Sequence, residues 1–440
     1  MDFPLSDYGR ASATPAPVSR MMAVFASGFR EGCDINLGVG YVNESTIPRH
    51  LAIAAMQAVL GRPGRYRNAL NYGGPRGSPT LVESLRRFIL DNAIGCLTPE
   101  ALDRRQIIVG PSGATSLLEG IAAVARPGIV ITADPMYYIY CDVLERRGFR
   151  ILAVPEDAGG ISVDALDPAL AGLGDARRDI SFIYVATVGN PTCTILSNQR
   201  RRQLVDATQR LSASLGRTVP LMLDTAYESL VHDPAAERPQ SALLHDPAGI
   251  VHEVGTLSKI LAPALRIGYM IAADSPLVRA LVQHTGDVGF SAPLILQEMA
   301  GWLLDNHAAG QIEKVNRGYR EKAVSVRAWI DELLGEHIEE CRGGRAGFYF
   351  YLTFHRIETS EGSRFFRCLA RTTGDAAIDG PAGSPAPRVA YIPGQFCVHR
   401  TGSLAEVGRR QLRLSYGFEE LPRIRQALEL MRDAAAWASR

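Results

Sequence analysis

Lysine is nearly absent from this 440-residue chain. Only three of its 47 basic residues are Lys, at positions 259, 314 and 322. Arginine is always charged and cannot form a Schiff base. Lysine loses its proton when partly desolvated or set beside another cation, and then attacks carbonyls. Lys314 and Lys322 lie eight apart in a charged helical stretch, whereas Lys259 sits between Ser258 and an apolar turn in GTLSKILAPALRIGYM, Gly255 to Met270. Other absences narrow the field. The seven cysteines are scattered, odd in number and lack CxxC spacing, which argues against a disulfide framework or a zinc site and fits a reducing compartment. The nine histidines show no HExxH or other metal spacing, and no GxSxG elbow or GxxxxGK[ST] loop occurs. Charge of one sign is missing too: 47 basic against 46 acidic residues give no reason for a nucleic-acid or membrane partner. The apolar runs are broken by Arg126-Pro127 or Pro263, and Asp2 and Asp7 interrupt any leader core. The expectation is a cytoplasmic protein without a metal.

The length exceeds what one hydrophobic core serves, so two lobes are expected. Residues 1–45 read as an N-terminal arm, 46–300 as a large domain and 301–440 as a small C-terminal domain. Seven short apolar runs punctuate the large domain: 106–109, 128–133, 149–154, 181–187, 219–224, 250–255 and 267–272. They are continuously apolar instead of alternating, as strands covered on both faces should be. Helical patterns such as 114–124 and 199–213 separate several of them. This predicts an α/β fold with a mostly parallel seven-stranded sheet flanked by helices. The link between the last two runs is too short for a helical crossover, so the last strand should be antiparallel. Beyond 300 follow a helical pattern from 297 to about 335, the β-rich 347–354, a Gly/Ala/Pro-rich surface loop at 374–387, and a final helix after Leu421. These predict a smaller α+β domain.

Ligands of open α/β sheets bind beyond the carboxyl ends of the strands. Asn190 follows run 181–187, Asp224 ends run 219–224, Lys259 follows run 250–255, and Ser112-Gly113-Ala114 opens a helix after run 106–109. Four strand ends thus place chemistry-bearing residues on one edge.

This ordered set resembles the aspartate-aminotransferase-like family of pyridoxal 5'-phosphate (PLP) enzymes, the class I/II aminotransferases, over about residues 35–435. The resemblance implies that Lys259, after Ser258, carries the cofactor aldehyde as a Schiff base and later moves the substrate α-proton. It implies that Asp224 pairs with the pyridine nitrogen, keeping the ring an electron sink, and that Tyr227 and Asn190 reach the ring oxygen. In Asn190-Pro191-Thr192 the fourth residue is Cys193, where the family has Gly. Ser112, Gly113 and Ala114 would offer backbone N–H groups at a helix start to the phosphate. Thr256, Ser258 and Arg266 would complete that site, the arginine fork matching phosphate geometry. Tyr137 matches the aromatic position that stacks on the ring, with Tyr138 the weaker claimant. Tyr72 resembles the tyrosine that reaches the neighbouring subunit's cofactor, which implies a homodimer with shared active sites. Arg413 resembles the clamp on the substrate α-carboxylate, and Gly38 and Gly40 the arm glycines that close over it.

The expected activity is transfer of an amino group between an α-amino acid and a 2-oxo acid. Elimination, replacement or side-chain cyclisation on the same site is the alternative, since all share one carbanion. A transcriptional regulator would need a DNA-binding domain before the arm, where only 71 residues precede Tyr72, and a degenerate relative would not keep this set of residues. Tyr41, Asn43 and Glu44 are the candidates for facing the substrate side chain, with a polar or cationic side chain the first guess.

Overall fold

The computed structural model describes residues 3–440 except 382 and 384. The arm carries two helices, Asp7–Ser12 and Pro17–Ala26, before strand β1 (Ile35–Asn36). The large sheet then takes β2 (Gln106–Val109), β3 (Ile129–Asp134), β4 (Arg150–Asp157), β5 (Gly160–Ile161), β6 (Ile180–Ala186), β7 (Leu221–Asp224), β8 (Val251–Thr256) and β9 (Gly268–Ala272). Its order is β2-β9-β8-β7-β6-β3-β4-β5. All seven runs expected from sequence are strands in it. The eighth, β5, is a two-residue antiparallel return on β4, too short to carry a periodic signal. Strand β9 runs antiparallel to both neighbours, as its short connection required, while β8, β7, β6, β3 and β4 pair in parallel. Each of the central strands β6, β7 and β8 is buried almost throughout, because helices such as Gly113–Val124 and Asn198–Leu215 cover the two faces. That double cover is why these runs do not alternate.

The 41-residue helix Leu294–Leu334 leads into the C-terminal part of the chain. There β10 (Ile338–Gly343), β11 (Tyr349–Phe354), β12 (Val389–Ala390), β13 (Ile392–Pro393) and β14 (Gln411–Ser415) follow. Four of them make an antiparallel sheet, ordered β10-β11-β14-β13, while β12 pairs in parallel with β1 of the arm. The final helix Leu421–Ala438 packs against Leu294–Leu334 and the helix Arg364–Ala370. Register in the small sheet sets Tyr351 opposite Arg413, and Ile392 opposite Arg413 on the other side. Arg413 is therefore held from both sides by strand pairing and is almost fully buried.

Candidate active site

A cavity of about 270 Å³ opens at the carboxyl ends of the central strands, among Ala114, Tyr137, Asn190, Asp224, Tyr227, Thr256, Ser258, Lys259 and Arg266. A second, wider channel of about 750 Å³ shares Gly40, Tyr41, Tyr137, Asn190, Tyr227 and Lys259 with it and runs out past Tyr138, Tyr349 and Arg413 under the helix Pro17–Ala26. The strand ends named from sequence thus meet in one space.

Lys259 projects between the two cavities. Its Nζ donates to the Gly40 carbonyl at 3.1 Å and lies 5.3 Å from the Tyr227 ring centroid and 5.5 Å from that of Phe348. Burial, with the positive charges of Arg413 and Arg266, pushes its pKa down to about 8; Asp224 opposes the shift. The chain's scarce amine thus gives up its proton far more readily than an ordinary lysine, which suits a nucleophile or base. The other two lysines are not comparable: Lys314 is exposed, and Lys322 is buried with Nζ on the Glu419 carbonyl at 2.7 Å.

Asp224 ends β7 with its side chain buried. One oxygen accepts the Ala226 N–H at 3.0 Å and the other the Tyr184 hydroxyl at 2.9 Å. Burial pushes its pKa up, while those two donors and Lys259 pull the other way. A buried carboxylate without a cation in direct contact suits a ligand that brings one, such as a protonated ring nitrogen.

Arg266 adopts the left-handed conformation, φ 54°, at the end of the turn Pro263–Leu265. Its Nε donates to Ser112 Oγ and its Nη2 to the Ser112 carbonyl, both at 3.1 Å. Gly113, at φ 66°, sits so close that a Cβ there would lie 2.8 Å from Arg266 Nη2. Ser112 and Gly113 therefore do not line the cavity wall; they fix the arginine against the start of the helix Gly113–Val124. Thr256 Oγ1 and Ser258 Oγ are 3.0 Å apart, and Thr256 also holds the Ile267 carbonyl. Hydroxyls, a guanidinium and a helix start on one wall form a cradle for a phosphate.

Arg413 donates to Asn190 Oδ1 at 2.8 Å and to the Gly38 carbonyl at 2.5 Å, and its Nε has no partner. Its Cζ sits 4.3 Å from the Tyr349 ring centroid. A buried cation touching only neutral acceptors is ready for a carboxylate. Gly38 and Gly40 supply backbone carbonyls at this point, and a Cβ on Gly40 would come 2.7 Å from the Tyr349 hydroxyl.

Some expectations need correcting. Of the three residues after the arm glycines, only Tyr41 lines the channel. Asn43 is buried, its amide on the Phe418 carbonyl and Glu420 and its oxygen on Ser45 N–H, and Glu44 pairs with Arg49 at 2.8 Å on the surface. Tyr72 lies outside both cavities of this chain; it is 82% exposed, its ring 5.9 Å from that of Phe290. Tyr137 lines both cavities, Tyr138 only the outer channel. The substitution at Cys193 leaves the turn intact: this residue takes φ 51° and its N–H bonds the Gly189 carbonyl at 2.8 Å, at a strain of about 1 kcal/mol. Sequence reasoning missed Tyr349, whose hydroxyl is 2.7 Å from that of Tyr227, and Tyr184 on Asp224. Tyr184 sits inside an apolar run and reads as core. Tyr349 lies in a run of alternating aromatics whose inward face only the strand pairing decides.

A lysine, a carboxylate, an aromatic wall and a phosphate cradle at the rim of a mostly parallel sheet define a PLP-type site. The model for "Aminotransferase class I and II" matches residues 34–371. The chain belongs to that family. It is 25% identical over 372 residues to the 2-aminoadipate transaminase of Thermus thermophilus, covering 84% of this chain and 82% of that one. It is 26% identical over 367 residues to the HTH-type transcriptional regulator YisV of Bacillus subtilis, covering 82% of this chain and 69% of that one. It spans 52% to 69% of the length of the HTH-type regulators YisV, YdfD, YjiR and NorG, which it also resembles. The crystal structure of a multiple substrate aminotransferase from Thermococcus profundus superposes with a TM-score of 0.82 at 20% identity, over 99% of this chain and 98% of that one. Amino-group transfer between an α-amino acid and a 2-oxo acid is the activity these findings support, over elimination or cyclisation. The family implies PLP as cofactor. Among the described residues no helix is long and apolar enough to cross a membrane.

Proposed function

We propose that this aminotransferase works through Lys259, with Asp224, Tyr227 and Asn190 around the ring of PLP, Tyr137 against its face, and Thr256, Ser258, Arg266 and Ala114 at its phosphate, Ser112 and Gly113 holding Arg266 in place. The residues fit the group: the Gly113–Arg266 approach leaves no room for a side chain, and Asp224 is a buried carboxylate with no cation in contact. PLP, when bound, supplies an aldehyde that condenses with amines and a ring that withdraws electrons from the substrate α-carbon.

The chain's residues do the rest. Arg413 holds the substrate carboxylate through its free donors and so orients the α-carbon toward Lys259. The Lys259 amine, its pKa lowered by burial and by Arg413, takes the α-proton and returns it one position along. Asp224 would pair with the ring nitrogen, with Tyr184 and the Ala226 N–H fixing its orientation. Gly38 and Gly40 shut water out by laying backbone across the opening. The observation that carries this reading is the meeting of Lys259, Asp224, Arg266 and Arg413 around two joined cavities. Homodimer formation is part of the proposal, with exposed Tyr72 serving the partner's site. So is a cytoplasmic location, resting on the scattered free cysteines.

The direct test is borohydride treatment of the holoenzyme followed by peptide mass mapping. A pyridoxyl adduct on Lys259 is expected. With an amino-acid substrate, the aminated cofactor should accumulate and be discharged by a 2-oxo acid. An adduct elsewhere, or side-chain loss without the aminated cofactor, refutes the scheme.

A further inference from the structure

The outer channel holds a charged group that the transfer chemistry does not use. Along the helix Tyr138–Arg146, residues 138, 142 and 146 repeat at one-turn spacing, and all three line the channel. Tyr138 is at the inner end, its ring centroid 5.9 Å from Arg413 Cζ. Asp142 comes one turn further out. It is half-buried, and among the described residues none hydrogen-bonds its carboxylate: burial, with Glu145 nearby, pushes its pKa up, opposed by Arg146 and Arg400 at a distance. Arg400 is committed to Glu145 at 3.3 Å. Arg146, a further turn along, also lines the channel. The wall opposite, from the helix Pro17–Ala26, offers Val18, Ser19, Met22 and Ala23, all uncharged.

We propose that Asp142 is a specificity residue that pairs with a cation at the end of the substrate side chain, so that the channel takes α-amino acids with a long, ammonium- or guanidinium-tipped side chain. The inference rests on the reading of Arg413 as the carboxylate clamp. Asp142 lies one helical turn, about 6 Å, beyond Tyr138, whose ring centroid is 5.9 Å from Arg413 Cζ, a reach suited to an extended side chain of four to six atoms. The stem of such a side chain packs along Met22, Val18 and Tyr138, and its head meets a carboxylate that otherwise has no cation in contact. An acidic side chain would be repelled at that depth. An apolar one would bury Asp142 further with nothing to pair it, which is unfavourable for a charged group.

The test compares L-arginine, L-norleucine and L-2-aminoadipate in the half-reaction of the holoenzyme, and binding of 5-guanidinopentanoate, which lacks the α-amine, by calorimetry. Arginine is expected to have the highest kcat/KM of the three. Asp142→Asn should lower the arginine-to-norleucine ratio about 10- to 100-fold, the loss of one charge-assisted hydrogen bond, and weaken 5-guanidinopentanoate at least tenfold. Asp142→Arg should turn the preference toward 2-aminoadipate. A ratio unmoved within twofold by Asp142→Asn, or 2-aminoadipate outrunning arginine in the wild type, overturns the proposal. If no amino acid forms the aminated cofactor, the transfer reading fails. The calorimetric comparison still decides Asp142, because equal binding to both proteins refutes its role.

Discussion

Lys259 should destabilise the protein it serves. In the cofactor-free chain its amine is half-buried beside Arg413 and Arg266, and its pKa falls from 10.5 to about 8. Between those values the unfolded chain binds a proton that the folded chain has released, so stability rises with pH across this window. Below pH 8 the penalty is fully present; above 10.5 it is gone. The gap corresponds to roughly 3 kcal/mol at most, and partial exposure reduces it to about 2 kcal/mol. Lys259→Met keeps the length and removes the charge, at the loss of the hydrogen bond to the Gly40 carbonyl, about 1 kcal/mol. The apoprotein of this variant should therefore be about 1 kcal/mol more stable than wild type at pH 7 in urea unfolding. The advantage should shrink as pH rises and reverse near pH 10, with m unchanged. A variant less stable than wild type at pH 7, or an advantage that does not change with pH, would refute the account of how the pKa of the amine is lowered.

Three further outcomes can be checked. Gly113→Ala forces a Cβ to 2.8 Å from Arg266 Nη2 at a φ of 66°, and should weaken PLP binding at least about tenfold by disturbing the phosphate cradle, measured by spectroscopic titration of the apoprotein. Asp224→Asn keeps the bonds' geometry but removes the charge, and should lower kcat about 10- to 100-fold while borohydride still labels Lys259. Tyr349→Phe deletes the hydroxyl 2.7 Å from that of Tyr227; kcat should fall less than about tenfold, and unchanged kinetics would remove Tyr349 from the site.

What was legible in the sequence follows from where the forces act. Strands such as Ile180–Ala186 and Val251–Thr256 are covered on both faces, so their apolar runs mark them without knowledge of their partners. Chemistry at the carboxyl ends of such strands is set by local chain order, which is why Asn190, Asp224 and Lys259 could be placed on one edge. Residues whose direction depends on distant pairing could not. Tyr349 faces the cavity because β11 lies between β10 and β14, and Asn43 turns inward because Phe418 and Glu420, nearly 380 residues away, accept its amide. The helices of the arm escaped notice because their periodicity is short, yet Pro17–Ala26 closes one side of the channel.

The charges of the two cavities explain why these pieces belong together. Arg266 and Arg413 touch only neutral oxygens, those of Ser112 and Pro263 for the first and of Asn190 and Gly38 for the second. Among the described residues Asp224 is the single carboxylate lining the inner cavity. Such an excess of positive charge, with Arg413 buried and Arg266 partly so, is unfavourable unless ligands bring anions. A phosphate at one end and a carboxylate at the other are the two that this arrangement has room for. The same excess lowers the pKa of Lys259, so the groups that attract the ligands also prepare the amine. A substitution that removed either arginine would therefore act twice, on binding and on the proton the lysine carries.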